Sequence, residues 1–582
     1  MPHRFWALVV AVAVAAALPA HALADDRADV VLAAKGADME GPNAPPDLLA
    51  DVDVPTAGDS AGLRAAAREP ERQPSVQVND PTLDHVVSFP TATPPQRPFE
   101  LSIQSETSVA RFGDDVVTGF NNSADQPVMQ TPQGTLAFQH RFLSGVGASH
   151  DGGRTWTEYS LPPIAGSPFT FGDPALAVDR HGNFYYASLG ADATGNSLIF
   201  VGKSTDRGRS FQPGVTAAVD PGSDKEWIAV GRDPVQRDRD NVYVTWTSFQ
   251  FNAAGQTVGS QLRLARSTDG GQTWSLSTLF APVADQSVSA FIQFSNPVVD
   301  PRTGRLFVPF LHFGAADTDF IRMLVSDDGG LTFHLATFDA PGAPDPNAFP
   351  NITPGTLTDC GVSGGFRSTL HAGADQGGGR LGLPRFRNAT RLVTQPSLAL
   401  EDGRLFMVFN SSTSQTFGDP ASHSEIRLLF SPNGGERWLG PFTVAPATAA
   451  EPQHVHPAVS VSGGRLTVGY FTQQADDRLR VDAVSTRVGD AAVREPEVRH
   501  LSPAFDLIPS NVAVPAMGST FTTNYDRTIR PCYNVGEYMG ATALAGGRAV
   551  LTWGDNRNSW TSPPESPAAG SHSQPDVFAG RV

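Results

Sequence analysis

Apolar and polar positions along the chain alternate in short runs broken by Gly and Asp, the period-two pattern of half-buried strands. Glu106–Ser123 reads ETSVARFGDDVVTGFNNS: a strand of small apolar residues, a Gly/Asp turn, then an alternating strand rich in Val and Phe. That is a β-hairpin. The pattern returns at Asp173–Gly190, Asp224–Ser248, Asn296–Phe313, Gln395–Ser412, His456–Gln473 and Glu537–Arg557. After each hairpin a third strand such as Leu262–Ser267 runs into a second kind of turn, and a fourth leaves it, as in Trp156–Leu161. The second turn is SHDGGRTW at Ser149–Trp156, with variants at Lys203–Phe211, Arg266–Trp274, Val325–Phe333 and Phe430–Trp438.

Repetition at intervals of several tens of residues points to a solenoid or a propeller. Four antiparallel strands per repeat make a β-propeller blade. The predicted fold is therefore all-β, a propeller of seven blades with six as the alternative. The last repeat has a hairpin and a third strand, Asp576–Val582, so an N-terminal strand is expected to complete it, and Leu83–Pro90 lies where that strand is needed. The propeller then spans 83–582, with a Gly-rich insertion at about 339–391.

Upstream of it, residues 25–82 show no sustained period and read as a flexible leader. Residues 1–24 have a basic start, an apolar run and a small-x-small site at Ala22-Leu23-Ala24, the pattern of a secretory signal. Export to the cell exterior or periplasm is the expectation. Cys360 and Cys532 could then form one disulfide. A net charge of −17 opposes nucleic acid and anionic membrane as partners. Gly (56) and Pro (48) are abundant beside 17% charged residues, which suits a turn-rich β protein. No metal or cofactor is expected: the Asp-Gly turns lack the spacing of an EF-hand, and the pair His454 and His456 shows no third ligand.

In the motif S-x-D-x-G-x-T-W, the Asp side chain can accept bonds from its own turn and Gly takes positive φ. Asp151, Asp206, Asp269, Asp328 and Asn433 occupy that position and are assigned a structural role, Asn433 and Arg437 departing from the pattern. This motif is the Asp-box, or BNR repeat, and the chain resembles the sialidase superfamily. The resemblance implies a secreted glycoside hydrolase acting on extracellular glycans, with a Tyr nucleophile assisted by Glu, an Asp acid/base and arginines holding a substrate carboxylate. The Arg-Ile-Pro motif that carries the first of those arginines has only QRPF, Gln96–Phe99, as its counterpart. A non-catalytic carbohydrate- or protein-binding propeller is the alternative.

Propeller topology places the boxes and the hairpin turns on one face, and the hairpin starts and ends on the other. The starts and ends carry polar residues that would ring the axial mouth. Asp173, Asp224, Glu226, Glu537 and Tyr538 are the candidates for catalysis, since two carboxyl groups flanking a glycosidic oxygen supply acid and base or nucleophile. Glu106, Lys225, Asn296, His312, Gln395, His456, Asp555 and Arg557 are the candidates for substrate binding. The competing reading is that such groups cap turns between blades.

Overall fold

A computed structural model describes residues 75–83, 87–89, 96–99, 104–122, 128–130, 136–138, 141–167, 169–255, 257–282, 288–314, 320–338, 395–413, 423–476, 478–488, 493–505, 536–562 and 570–582. The signal segment, the 339–391 insertion and both cysteines lie outside them. Every regular element among the described residues is a strand.

The strands form four-stranded antiparallel units in chain order, and seven such units can be followed among the described residues. Blade 1 runs from Ser105–Phe112 through Asp115–Asn121 and Ser144–Ser149 to Thr157–Ser160. Blade 3 is made of Ser223–Arg232, Asp240–Phe251, Thr257–Ser267 and Ser275–Phe280. Blades 5 and 6 are also joined edge to edge by a parallel pairing of Ser424 with Gln453. The first strands of successive blades touch in order, and that of blade 7, Gly540–Leu544, returns to that of blade 1. The ring is closed.

Alternation along the strands explains the packing. A blade has neighbours on both faces, so both sets of alternate residues are apolar. In Asp240–Phe251, Val242, Val244 and Trp246 pack against blade 2, whereas Tyr243 faces blade 4. One hydrophobic cluster accordingly fills each interface between adjacent blades. At the blade 7–blade 1 interface, Val550, Val577 and Ala579 meet Val109, Val116 and Phe120.

An N-terminal strand does close blade 7, but it is Ser75–Gln77 and not Leu83–Pro90. It pairs antiparallel with Gly570–Arg581, and Val78 beyond it is buried in the closing interface. Residues 87–89 pair instead with 96–99 as a separate hairpin. The boundary expected at 83 therefore moves upstream: SVQV alternates at Ser75–Val78, and its short length hid it in a Pro- and Arg-rich context.

Candidate functional site

The first strands of blades 1, 2, 3 and 6 begin with the same defect. The pairing of strands one and two shifts register between Ser105 and Ser108, Gly172 and Ala175, Asp224 and Trp227, and Val455 and Ala458. A bulge of this kind re-aims side chains. Its first residue is in the left-handed region in every case: Glu106 (φ 51), Asp173 (φ 53), Lys225 (φ 50) and His456 (φ 51). Four non-glycine residues in a costly conformation at equivalent places mark the axial mouth as a special region.

Lys225 is the hub. Its Nζ lies 2.9 Å from Glu537 Oε2, 3.3 Å from Asp173 Oδ2 and 3.2 Å from Glu106 Oε1, so one ammonium joins blades 1, 2, 3 and 7. One backbone and one side-chain amide add to the network: Glu537 N–H donates to Glu106 Oε1 (3.2 Å), and Asn121 Nδ2–H donates to Glu106 Oε2 (3.1 Å). All four members of the cluster are buried. Burial opposes the charge on Lys225, but Asp173, Glu106 and Glu537 outweigh it and hold its pKa well above the usual lysine value. Burial likewise lifts Glu106 to about 8, with Lys225 pulling it down and Asp173 and Glu537 pushing it further up. Asp173 is raised by the same balance. A carboxyl pair of this kind holds a proton at neutral pH.

Glu226, the second bulge residue of blade 3, is 1% exposed, and neither carboxyl oxygen meets a hydrogen-bond donor among the described residues. Burial, then Asp173, raises its pKa well above the usual carboxyl value. Asp224 accepts from Gln293 Nε2 at 2.5 Å. Tyr538 is buried, donates its hydroxyl to the Pro174 carbonyl (3.2 Å) and stacks edge-on against Trp227 with centroids 5.2 Å apart. Burial, then the charges of Glu106 and Asp173, keeps it a phenol.

Beside the cluster lies an axial cavity of about 170 Å³, lined by first-strand residues of all seven blades; Glu537, Tyr538, Trp227, Gln395, Asn296 and His456 supply its polar and aromatic wall. Burial pulls His456 down to about 4, leaving a neutral ring.

Of the thirteen residues assigned to catalysis or substrate binding, the axial region gathers Glu106, Asp173, Lys225, Glu226, Glu537, Tyr538, Gln395, His456 and Asn296 around the cluster and its cavity, with Asp224 adjoining through Gln293. Three go elsewhere. His312 Nδ1 accepts from Arg322 Nε (3.0 Å) and its ring packs on Phe280. Asp555 accepts from Trp553 Nε1 (2.8 Å) and pairs with Arg557, whose guanidinium sits 3.8 Å over Phe578 and donates to Ser75 Oγ (2.8 Å). That pair fastens the N-terminal strand.

Asn296 is at the cavity but not in the ring. In blade 4 the left-handed residue is Phe294 (φ 60), two positions before Asn296, and Asn296 Oδ1 accepts from Leu398 N (2.9 Å). Trp227 went unremarked in the sequence, although it stands two residues after Lys225.

On the opposite face the boxes repeat one geometry. Asp151 Oδ1 accepts from Arg154 N (2.8 Å), Thr155 N (3.0 Å) and Ser149 Oγ (2.8 Å), and Oδ2 accepts from Thr155 Oγ1 (2.7 Å). Asp206, Asp269 and Asp328 do the same. Gly152 N–H donates to Asp114 O in the hairpin turn, which puts boxes and hairpin turns on one face.

The BNR/Asp-box repeat model matches residues 265–276, the third box. No curated protein matches the chain. Among solved structures, a protein of unknown function from Dyadobacter fermentans is similar at TM-score 0.39 and 13% identity, over 72% of this chain and 97% of that one. A Hadza microbial sialidase gives 0.36 and 14%, over 76% and 75%. Trypanosoma rangeli sialidase gives 0.34 and 11%, over 87% of this chain and 58% of the other.

Proposed function

We propose that this chain, which carries a BNR/Asp-box repeat on an all-β fold of four-stranded antiparallel sheets, is a secreted, carbohydrate-active protein that takes glycan at the axial mouth, and that it acts there as a glycoside hydrolase. One observation carries this reading: three carboxyl groups converge on Lys225 beside a cavity that one of them, Glu537, lines. The Glu106 and Glu537 oxygens, 3.2 and 2.9 Å from the same nitrogen, can be no farther apart than those two distances together, a limit that admits the separation of about 5–5.5 Å used by retaining glycosidases.

Glu106, its pKa lifted to about 8, is suited to the acid, and Glu537, paired with the Lys225 ammonium at 2.9 Å and lining the cavity, to the base or nucleophile. Tyr538, committed to the Pro174 carbonyl, is suited to shaping the wall and not to attack. The test is turnover of a panel of aryl glycosides, sialosides included. Loss of a carboxyl acid or base costs on the order of 10²–10⁴-fold, so Glu106→Gln and Glu537→Gln should each lower kcat by that factor. Unchanged turnover in both variants removes the assignment.

A second reading, a glycan-binding propeller without catalysis, is favoured by the closure of the cluster: a sealed hub of this kind is also what fastens blades across an axis. It predicts binding without turnover.

A further inference from the structure

The wall of the axial cavity is rich in groups that accept hydrogen bonds. Gln395 is 7% exposed, lines the cavity, and its Oε1 meets no donor among the described residues. A buried acceptor left without a donor costs about 1–3 kcal/mol, so a ligand that supplies the missing N–H or O–H recovers it. Glu537 lines the same cavity and is acceptor-only when ionised. The cation at hand is committed: an ammonium has three hydrogens, and Lys225 has Glu106, Asp173 and Glu537 to receive them. Against these acceptors stands the edge-on pair of Trp227 and Tyr538, an aromatic wall of the kind on which the C–H face of a sugar ring rests.

A carboxylated sugar brought here would set its charge against Glu537 and the acceptor oxygen of Gln395, with the lysine already used. Hydroxyl and ammonium groups would instead find both. Resting on the reading of the mouth as a glycan site, we infer that the axial cavity takes uncharged or amino sugars and discriminates against carboxylated ones. The discrimination is built from repulsion as much as attraction, since like charge in a water-poor cavity is costly.

Binding by saturation-transfer NMR and calorimetry at neutral pH tests this with three probes: lactose, a glucosamine oligomer and sialyllactose. Lactose or the glucosamine oligomer is expected to bind at least tenfold more tightly than sialyllactose. Gln395→Leu should weaken the bound probe about tenfold, and Gln395→Glu, which keeps an acceptor at the position, should retain the glucosamine oligomer. Sialyllactose binding as tightly as lactose overturns the inference, even if it is also cleaved and the hydrolase reading survives. Binding of neutral sugar without turnover supports the inference while removing the hydrolase. Neutral binding that Gln395→Leu leaves untouched overturns the placement, and no binding by any probe overturns the glycan site and the inference together.

Discussion

Carboxylates on the two faces of this propeller meet opposite fates. In the boxes, burial is the largest single influence and pushes Asp269 and Asp328 up, but the Thr hydroxyl, the backbone N–H groups and the Ser hydroxyl together outweigh it and hold them at about 2. At the mouth, Glu106 lies deeper and shares one lysine with two other carboxyls, and its pKa is about 8. The box carboxylates are supplied with a donor for each role before the chain asks anything of them. Mouth carboxyls are crowded and under-supplied, which is the condition that perturbs pKa values at functional sites. The difference teaches where each face stores its free energy: the box in satisfied local turns, the mouth in long-range charge balance.

Removing the hub should have the largest effect. Lys225→Met leaves Glu106, Asp173 and Glu537 buried without their cation, and breaking a buried ion pair costs about 3–5 kcal/mol. Denaturant unfolding should report a loss of that size, and a change below about 1 kcal/mol would mean that the cluster contributes little to closing the ring. Asp328→Ala should cost less, about 1–2 kcal/mol, because it strips one exposed turn of its acceptor. It should leave glycan binding unchanged, since the box lies on the face opposite the mouth.

The same contrast explains what could be read from the sequence. Box and hairpin are local, so the period-two alternation and the S-x-D-x-G-x-T-W spacing revealed blade order, the box face and the need for an N-terminal strand. The mouth is assembled from residues hundreds of positions apart, and only their side of the propeller was legible. That Glu106, Asp173 and Glu537 converge on Lys225 depends on bulges in the first strands of blades 1, 2 and 3 and on the entry to blade 7, which no spacing announces. In blade 4 the left-handed position falls on the apolar Phe294, which no polar start announces, and Asn296 lies two residues beyond it. Asp555 and Arg557 looked like mouth residues because their strand ends there, yet the pair is used by the closing strand at Ser75.

Stability should depend on pH with opposite signs on the two faces. Glu106, with a usual value of 4.5 raised to about 8, binds more protons folded than unfolded between those limits. Its contribution is fully present below pH 4.5 and lost as pH rises through 8. Glu158, raised from 4.5 to about 7 by burial, adds to the same trend. The boxes act lower: Asp269 and Asp328 contribute fully above pH 3.8, and the contribution is lost as pH falls through 2. Within the mouth His456 runs against Glu106: pulled from 6.5 to about 4, it favours the folded state above pH 6.5 and withdraws that support as pH falls through 4. Thermal unfolding of Glu106→Gln should therefore show a flatter decline between pH 5 and 8 than the unsubstituted chain, whereas Asp328→Asn should flatten only the fall below pH 4. Parallel curves for Glu106→Gln and the unsubstituted chain would show that Glu106 takes up no proton on folding.

The smallest expected effect concerns the fifth box, where the pattern is already broken. Asn433 Oδ1 accepts from Arg437 N at 2.9 Å and from Ser431 Oγ at 3.3 Å, but Arg437 has no hydroxyl to offer the second position, and Asn433 Nδ2 donates instead to Glu436 at 3.4 Å. Asn433→Asp alone would exchange that contact for repulsion from the Glu436 carboxylate, so a net change near zero is expected. Adding Arg437→Thr restores the hydroxyl that the other boxes use and should raise stability by about 0.5–1 kcal/mol, the worth of one hydrogen bond. Denaturant midpoints of the single and double variants measure the difference. A gain from Asn433→Asp alone equal to that of the pair would show that the charge holds the turn and the hydroxyl is incidental, which would also predict that Thr332→Val costs the fourth box nothing.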